Sequence, residues 1–287
     1  MKGFPDRTAA SLAVGLLALG GMAIRAGGKE AHGFSSLRVA TVRAFEAYVA
    51  GTESENSQSL GRGPFLWLDG LPEGERKTAF AQLLRGEVEM QRVGGTKGGG
   101  SAEVPGGMIH DWKGIVFVPQ AKLAEVLEVL EDYDHQSIYY MPDVEKSQIE
   151  SHNGDHYRVF LRFRRHKIVT VVIDTEHEVT YYRDSETREH SRSSAVRIAQ
   201  VEDAGSPQEK ENAPGEDNGF LWGMETWWRM EERDGGVYVQ NQVVTLTRDI
   251  PTGLGWLIEP FVTAIPKETL EFTLEATRKA VLARMKG

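Results

Sequence analysis

The residues of this chain that could do chemistry are few, and their spacing sorts them. His152 and His156 flank Asn153-Gly154, with Asp155 beside them. A cross-strand histidine pair of that kind can bind zinc, although hairpin ends more often carry histidine as a solvated polar residue. His177-Glu178 matches the opening of a zinc-protease helix motif, but the second histidine is missing and the local pattern is that of a strand. His110-Asp111 and Asp134-His135 are sequence neighbours, which does not bring their side chains together. With no cysteine in 287 residues there is no thiolate chemistry and no disulfide. No serine stands in a Gly-x-Ser-x-Gly elbow. Neither a metal nor a cofactor is expected. Asp174, Glu176 and Glu178 alternate on one strand face, and Glu225 lies between apolar neighbours. They read as solvated. If one turned inward, desolvation would raise its pKa and acid–base chemistry would open up.

Gly94 to Gly107 holds seven glycines. It does not read as a phosphate cradle, because Lys97 precedes the glycine run and no helix opens behind it. The formal net charge of −9 argues against nucleic acid as a partner, since that binding needs a basic footprint. A hydrophobic content of 40% fits a globular protein with a real core.

These residues need a scaffold, and the most decisive part of it is the end of the chain. From Lys267 to Lys286 there is neither Pro nor Gly. Leu270, Leu274, Thr277, Val281 and Met285 recur at spacings of three and four, which predicts a long helix with one apolar face. Pro260 and Pro266 would kink or restart a helix ahead of it. What precedes it is a succession of strand patterns, so one helix lying across a wrapped antiparallel sheet is the expected architecture.

At the start, Lys2 and Arg7 precede an uncharged run of 16 residues, Ala9 to Ile24. Residues 1–26 are expected to be a secretory signal, giving a periplasmic or secreted protein, or else an N-terminal membrane anchor, with the amphipathic start of a cytosolic helix as the plainest alternative. Residues 27–86 are expected to be a helical extension packing on the main domain: Phe34 to Val49 and Pro72 to Arg85 as helices, with a polar connection over Gly51 to Gly63. Residues 87–287 are expected to form the main, ligand-binding domain. Strands are predicted over Glu87–Val93 and Met108–Val118, and a helix over Ala121–Leu130. Asn153-Gly154 marks a hairpin, and His156–Arg164, Lys167–Tyr182, Glu189–Val201, Phe220–Glu232 and Val237–Arg248 read as strands. The order reads strand, strand, two helices, five strands, helix, with about seven strands in one sheet. Glu202 to Asn218, with Pro207, Pro214 and six acidic residues, reads as a loop.

Three stretches carry a resemblance to a known superfamily. Val118-Pro119 with the helix Leu123–Leu130 and Asp132-Tyr133-Asp134-His135, then Tyr140-Met141-Pro142-Asp143-Val144, and finally Thr252 to Ala280, are similar to the START-like (SRPBCC) superfamily of lipid-transfer domains, coenzyme Q-binding proteins and polyketide cyclases. The resemblance covers roughly Glu87 to Met285. It implies an α+β helix-grip fold, a curved antiparallel sheet wrapped around the C-terminal helix and enclosing an apolar cavity. The element order agrees with it.

On that picture the ligand-binding candidates are Tyr157, Val159, Leu161, Phe163, Val171, Trp222, Met224, Thr226 and Trp228 from the sheet, and Leu257, Phe261 and Ile265 from the closing segment. Tyr139 and Tyr140 stand at the mouth. Strand parity points Trp222 inward and Trp227 outward. The expected partner is a hydrophobic small molecule or lipid, and transient membrane contact is compatible with that. A cyclase or aromatase using the same cavity is the alternative, and a solidly filled interaction module is the third reading.

Overall fold

The computed structural model describes residues 37–94, 102–166, 170–213, 216–249 and 265–287. The expected signal or anchor over residues 1–26, half of the glycine-rich loop (residues 95–101), and the candidates Leu257 and Phe261 lie outside the described residues.

The chain runs α1 (Val39–Arg62), a 3₁₀ turn (Trp67–Gly70), α2 (Glu73–Leu84), β1 (Glu89–Arg92), β2 (Ala102–Val104), β3 (Gly107–Pro119), α3 (Leu123–Leu130), a second 3₁₀ turn (Tyr133–His135) and α4 (Gln136–Tyr139). It continues through β4 (Val144–Asn153), β5 (His156–His166), β6 (Thr170–Arg183), β7 (Arg188–Glu202), β8 (Lys210–Glu211), β9 (Gly223–Arg233) and β10 (Gly236–Arg248) to α5 (Ile265–Arg284). The sheet is antiparallel in the order β1-β3-β10-β9-β7-β6-β5-β4, with β2 added to β3 and β8 to β7. The fold is α+β and of the helix-grip kind. The sequence count of about seven strands falls short of the ten described because seven strands, not five, follow α4, and β2 and β8 are too short to show a pattern.

β10 is in register with β3 along its whole length, from Gly236 opposite Pro119 to Arg248 opposite Gly107. That pairing leaves β3 near one edge while β4 forms the other. The connection between them crosses the concave side of the sheet, and α3 and α4 are that connection. The concave core joins Val116 and Val118 of β3, Leu123, Val126 and Leu130 of α3, and Leu270, Leu274 and Val281 of α5. The helix presses hardest at Gly114, where a Cβ would stand 2.5 Å from Leu274 Cδ1. Pro266 is the second residue of α5, where its missing N–H has no partner to lose.

The convex face is covered as well, over part of its width. Phe65, Leu66, Leu68 and Leu83 bury Ile115, Phe117 and Tyr238, while Phe45 meets Ile109, Trp227, Val244 and Leu246. All thirteen residues of β10 are therefore buried.

This covering explains the main departure from the sequence reading. α1 continues through Gly51–Arg62, where a polar connection was expected, because that half of the helix is fastened by tertiary hydrogen bonds that its own sequence does not advertise. Arg229, buried in the sheet, donates to Asn56 Oδ1 at 2.6 Å and to the Phe65 carbonyl at 2.6 Å. Asn56 donates to Gln242 Oε1 at 3.1 Å, Gln242 donates to Asp111 Oδ1 at 2.9 Å, and the Tyr48 hydroxyl donates to Asp111 Oδ2 at 3.0 Å.

The acidic face of β6 is also less solvated than its composition suggests. Asp174 is buried, held by both arms of Arg162 at 2.6 and 2.7 Å, and Glu209 of the loop between β7 and β9 closes over Arg162 at 2.9 Å.

Candidate functional site

Between the concave sheet and the helices α4 and α5 lies a cavity of about 230 Å³. Strand alternation supplies its walls: Val159, Leu161 and Phe163 from β5, Ile173, His177, Val179 and Tyr181 from β6, and Met224, Thr226 and Trp228 from β9. β10 adds Asn241, Val243 and Thr245, β7 adds Ser193, and Tyr140, Ile265, Thr269, Leu270 and Thr273 close it from the helical side. The lining is mainly apolar, and its polar groups fall into two sets.

The first set is internally paired. Tyr140 and Thr277 hydroxyls lie 3.0 Å apart, and those of Tyr133 and Tyr181 lie 2.9 Å apart. Burial pushes the Tyr140 phenol up to about 12. Arg165 forms an ion pair with Asp143 and donates to Thr269 Oγ1 at 2.8 Å. Burial raises the Asp143 carboxyl and lowers the Arg165 guanidinium, each opposed by the charge of the other. Such a pair is stable in a partly buried site only while both partners are present.

The second set lies across the sheet. His177 meets Thr175 Oγ1 through Nε2 at 2.9 Å and Ser193 Oγ through Nδ1 at 3.2 Å. Full burial lowers its pKa to about 4, so its ring is neutral near pH 7. Ser193 stands opposite Thr226, and Thr226 opposite Val243, so two hydroxyls of adjacent strands sit side by side on the cavity floor with an apolar residue next to them.

Of the sequence candidates, Tyr140, Val159, Leu161, Phe163, Met224, Thr226, Trp228 and Ile265 line this space. Four do not. Tyr139 is tied to Asp132 Oδ2 at 2.6 Å. Tyr157 donates to Glu131 Oε2 at 3.1 Å and stacks on His152 with ring centroids 4.1 Å apart, behind Tyr133 and Tyr181. Val171 is packed with Ile173, Ile198 and Phe220 in a satellite of the core. Trp222 precedes the first residue of β9, so strand parity does not govern it. Its indole N–H donates to Asp217 Oδ1 at 2.8 Å and its ring joins Phe45 on the convex side.

The sequence reading weighs His177 only as part of a metal motif and does not single out Asn241 and Thr245, although a signal for all three as cavity residues exists. His177 shares parity with Val171 and Ile173, and Asn241 and Thr245 share it with Val239 and Val243. The histidine pair at the β4–β5 hairpin diverges. His152 Nε2–H donates to the Gly154 carbonyl at 2.6 Å, and His156 Nδ1 meets Thr180 Oγ1 at 2.9 Å. Among the described residues no group of three His, Asp or Glu side chains converges as a metal site would require.

No family model matches the chain. No curated protein matches it in sequence. Solved structures do. A STAR-related lipid transfer protein fragment from Xanthomonas axonopodis is 19% identical, with a TM-score of 0.43 over 67% of this chain and 98% of that one. The Zhui aromatase/cyclase from Streptomyces sp. R1128 is 15% identical, with a TM-score of 0.41 over 62% of this chain and 96% of that one. Human STARD10 is 10% identical, with a TM-score of 0.42 over 79% of this chain and 87% of that one. Nothing about the ligand or activity of the present chain follows from these likenesses.

Proposed function

We propose that this protein binds and carries a small apolar molecule in the cavity between its sheet and α5. The observation that supports this reading is the cavity itself, about 230 Å³ bounded by Val159, Leu161, Phe163, Met224, Val243 and Trp228. Elsewhere in the concave core, side chains of α3, α5 and the strands meet directly. Ligand cavities for drug-sized molecules run to roughly 300–1,000 Å³. A bicyclic ring system or a short acyl chain fits this one better than a two-chain lipid. Each buried methylene contributes about 0.8 kcal/mol, so no ionic anchor is needed to retain such a guest.

The test is titration of the protein with naphthalene, read by tryptophan fluorescence, beside native mass spectrometry of protein purified from its own host. Saturable quenching, or a retained mass that unfolding releases, is the expected result. Absence of both would remove the proposal.

Catalysis of the cyclase kind is favoured by one observation, the imidazole of His177 inside the cavity. Its ring partners are hydroxyls rather than a carboxylate, and a base with a pKa of about 4 accepts protons poorly near pH 7. Carriage is the better-supported reading. Export belongs to the same proposal, on the strength of Lys2 and Arg7 ahead of the uncharged run Ala9–Ile24. N-terminal sequencing of the mature protein from its host tests it.

A further inference from the structure

Asn241 and Thr245 are polar residues on the cavity side of β10, with Val243 between them. Asn241 is 4% exposed and Thr245 8% exposed. Among the described residues nothing hydrogen-bonds Asn241 Oδ1 or Thr245 Oγ1. A buried polar atom left unpaired costs stability, and two on one wall of a cavity are a feature that a hydrocarbon guest would not call for. Across β9, Trp228 stands opposite Asn241 and Met224 opposite Thr245; across β3, Gly114 and His110 stand opposite them, and the His110 ring meets the neighbouring Thr247 Oγ1 at 3.0 Å.

The charges facing the cavity restrict the guest further. Arg165 is ion-paired with Asp143 and donates to Thr269, which among the described residues leaves its Nε–H without an acceptor but its charge compensated. His177 is held between two hydroxyls and burial keeps it uncharged near pH 7. Among the described lining residues Arg165 and Asp143 cancel each other's charge, so no net positive charge remains to compensate a buried carboxylate or phosphate, whose desolvation would go unrepaid.

We propose that the guest is an uncharged, hydroxyl-bearing apolar molecule, an alcohol or a phenol rather than a fatty acid or an anionic lipid, and that Asn241 and Thr245 are the residues that recognise its hydroxyl. This rests on the cavity-binding reading above and adds to it the chemical class of the ligand. Thr245 can donate or accept and the Asn241 amide oxygen accepts, so a hydroxyl suits either position.

The experiment compares naphthalene, 2-naphthol and 2-naphthoate at neutral pH, with the wild-type protein and the near-isosteric double variant Asn241→Leu/Thr245→Val. The wild type should bind 2-naphthol about tenfold more tightly than naphthalene, the gain expected of one net hydrogen bond, and 2-naphthoate least tightly. In the double variant the two uncharged probes should bind equally. Because two unpaired polar atoms have been removed, the unliganded variant should also melt at a higher temperature. The single variants carry the same comparison if the double one does not fold. A 2-naphthol advantage that is absent in the wild type or persists in the variant overturns the proposal, as does preference for 2-naphthoate. A lower melting temperature in every variant also overturns it, since it would show the two groups satisfied within the protein. If naphthalene binds and 2-naphthol gains nothing, the hydroxyl assignment alone falls. If none of the three binds, the cavity-binding reading falls with it.

Discussion

Trp227 and Trp228 are consecutive on β9 and point to opposite faces of the sheet. The Trp227 indole N–H donates to Glu53 Oε2 of α1 at 2.6 Å, beneath the guanidinium of Arg192, while Trp228 walls the cavity. One tryptophan fastens a helix to the convex side and the other shapes the concave side.

Their substitutions should therefore separate. Trp228→Ala should weaken naphthalene binding roughly tenfold through loss of an aromatic wall. Trp227→Ala should leave binding within about threefold and lower stability by about 3–5 kcal/mol, the usual cost of emptying a buried aromatic site. Trp222→Ala should resemble Trp227→Ala in leaving binding unchanged. Fluorescence titration and urea unfolding of the three variants check this.

The buried histidine gives a signed pH dependence. Burial lowers His177 from 6.5 to about 4 in the folded protein. Its contribution to stability is full above pH 6.5 and is lost as pH falls towards 4, to the extent of about 3 kcal/mol. His177→Gln should lose less stability than wild type between pH 7 and pH 4. His110, also lowered to about 4 by burial and the nearby Arg92 charge, has the same sign and should leave part of the slope in place. Urea midpoints measured across that range are the readout.

Asp111 acts in the opposite sense. Burial raises its carboxyl from 3.8 to about 6, against the lowering effect of its hydrogen bonds from Gln242 and Tyr48. The stability it contributes is full below pH 3.8 and is lost as pH rises through 6. Asp111→Asn, which keeps an acceptor for Tyr48 and Gln242, should remove that loss and be more stable than wild type at pH 7.5 by up to about 3 kcal/mol. A variant less stable than wild type at that pH would show that the charge itself holds α1 on the sheet.

Arg162 and Asp174 form a buried fork, with side chains 8% and 3% exposed. Asp174→Ala should cost about 3–5 kcal/mol, because the guanidinium is left buried with Glu209 as its remaining carboxylate. The double variant Arg162→Met/Asp174→Leu should lie close to wild type. Glu209→Gln should leave the melting temperature unchanged while accelerating amide exchange in the loop that follows β7, whose Gly205 N–H bonds Glu209 Oε2 at 2.6 Å. Equal exchange in both proteins would mean that the loop is held by other contacts.

The sequence by itself determined the succession of strands, the helical insertion after β3 and the amphipathic end of the chain. These depend on local periodicity, which each segment carries in its own residues. It also settled the facing of Val159, Leu161, Phe163, Met224, Thr226 and Trp228, since each lies inside a strand where alternation is strict. Trp222 escaped that rule by standing one residue before its strand, where its N–H still bonds the Leu246 carbonyl at 2.7 Å but strict alternation has ended. Tertiary structure decided what each face meets. The second half of α1 is helical because Arg229 and Gln242, far along the chain, bond to Asn56. Asp174 is buried because a distant loop brings Glu209 over Arg162. His177, Asn241 and Thr245 became cavity residues only once α5 lay across the sheet and left that part of its concave face uncovered. Periodicity records which side of a strand a residue is on. Whether that side meets a helix, a loop or open space depends on contacts between segments far apart in sequence, and no local pattern encodes them.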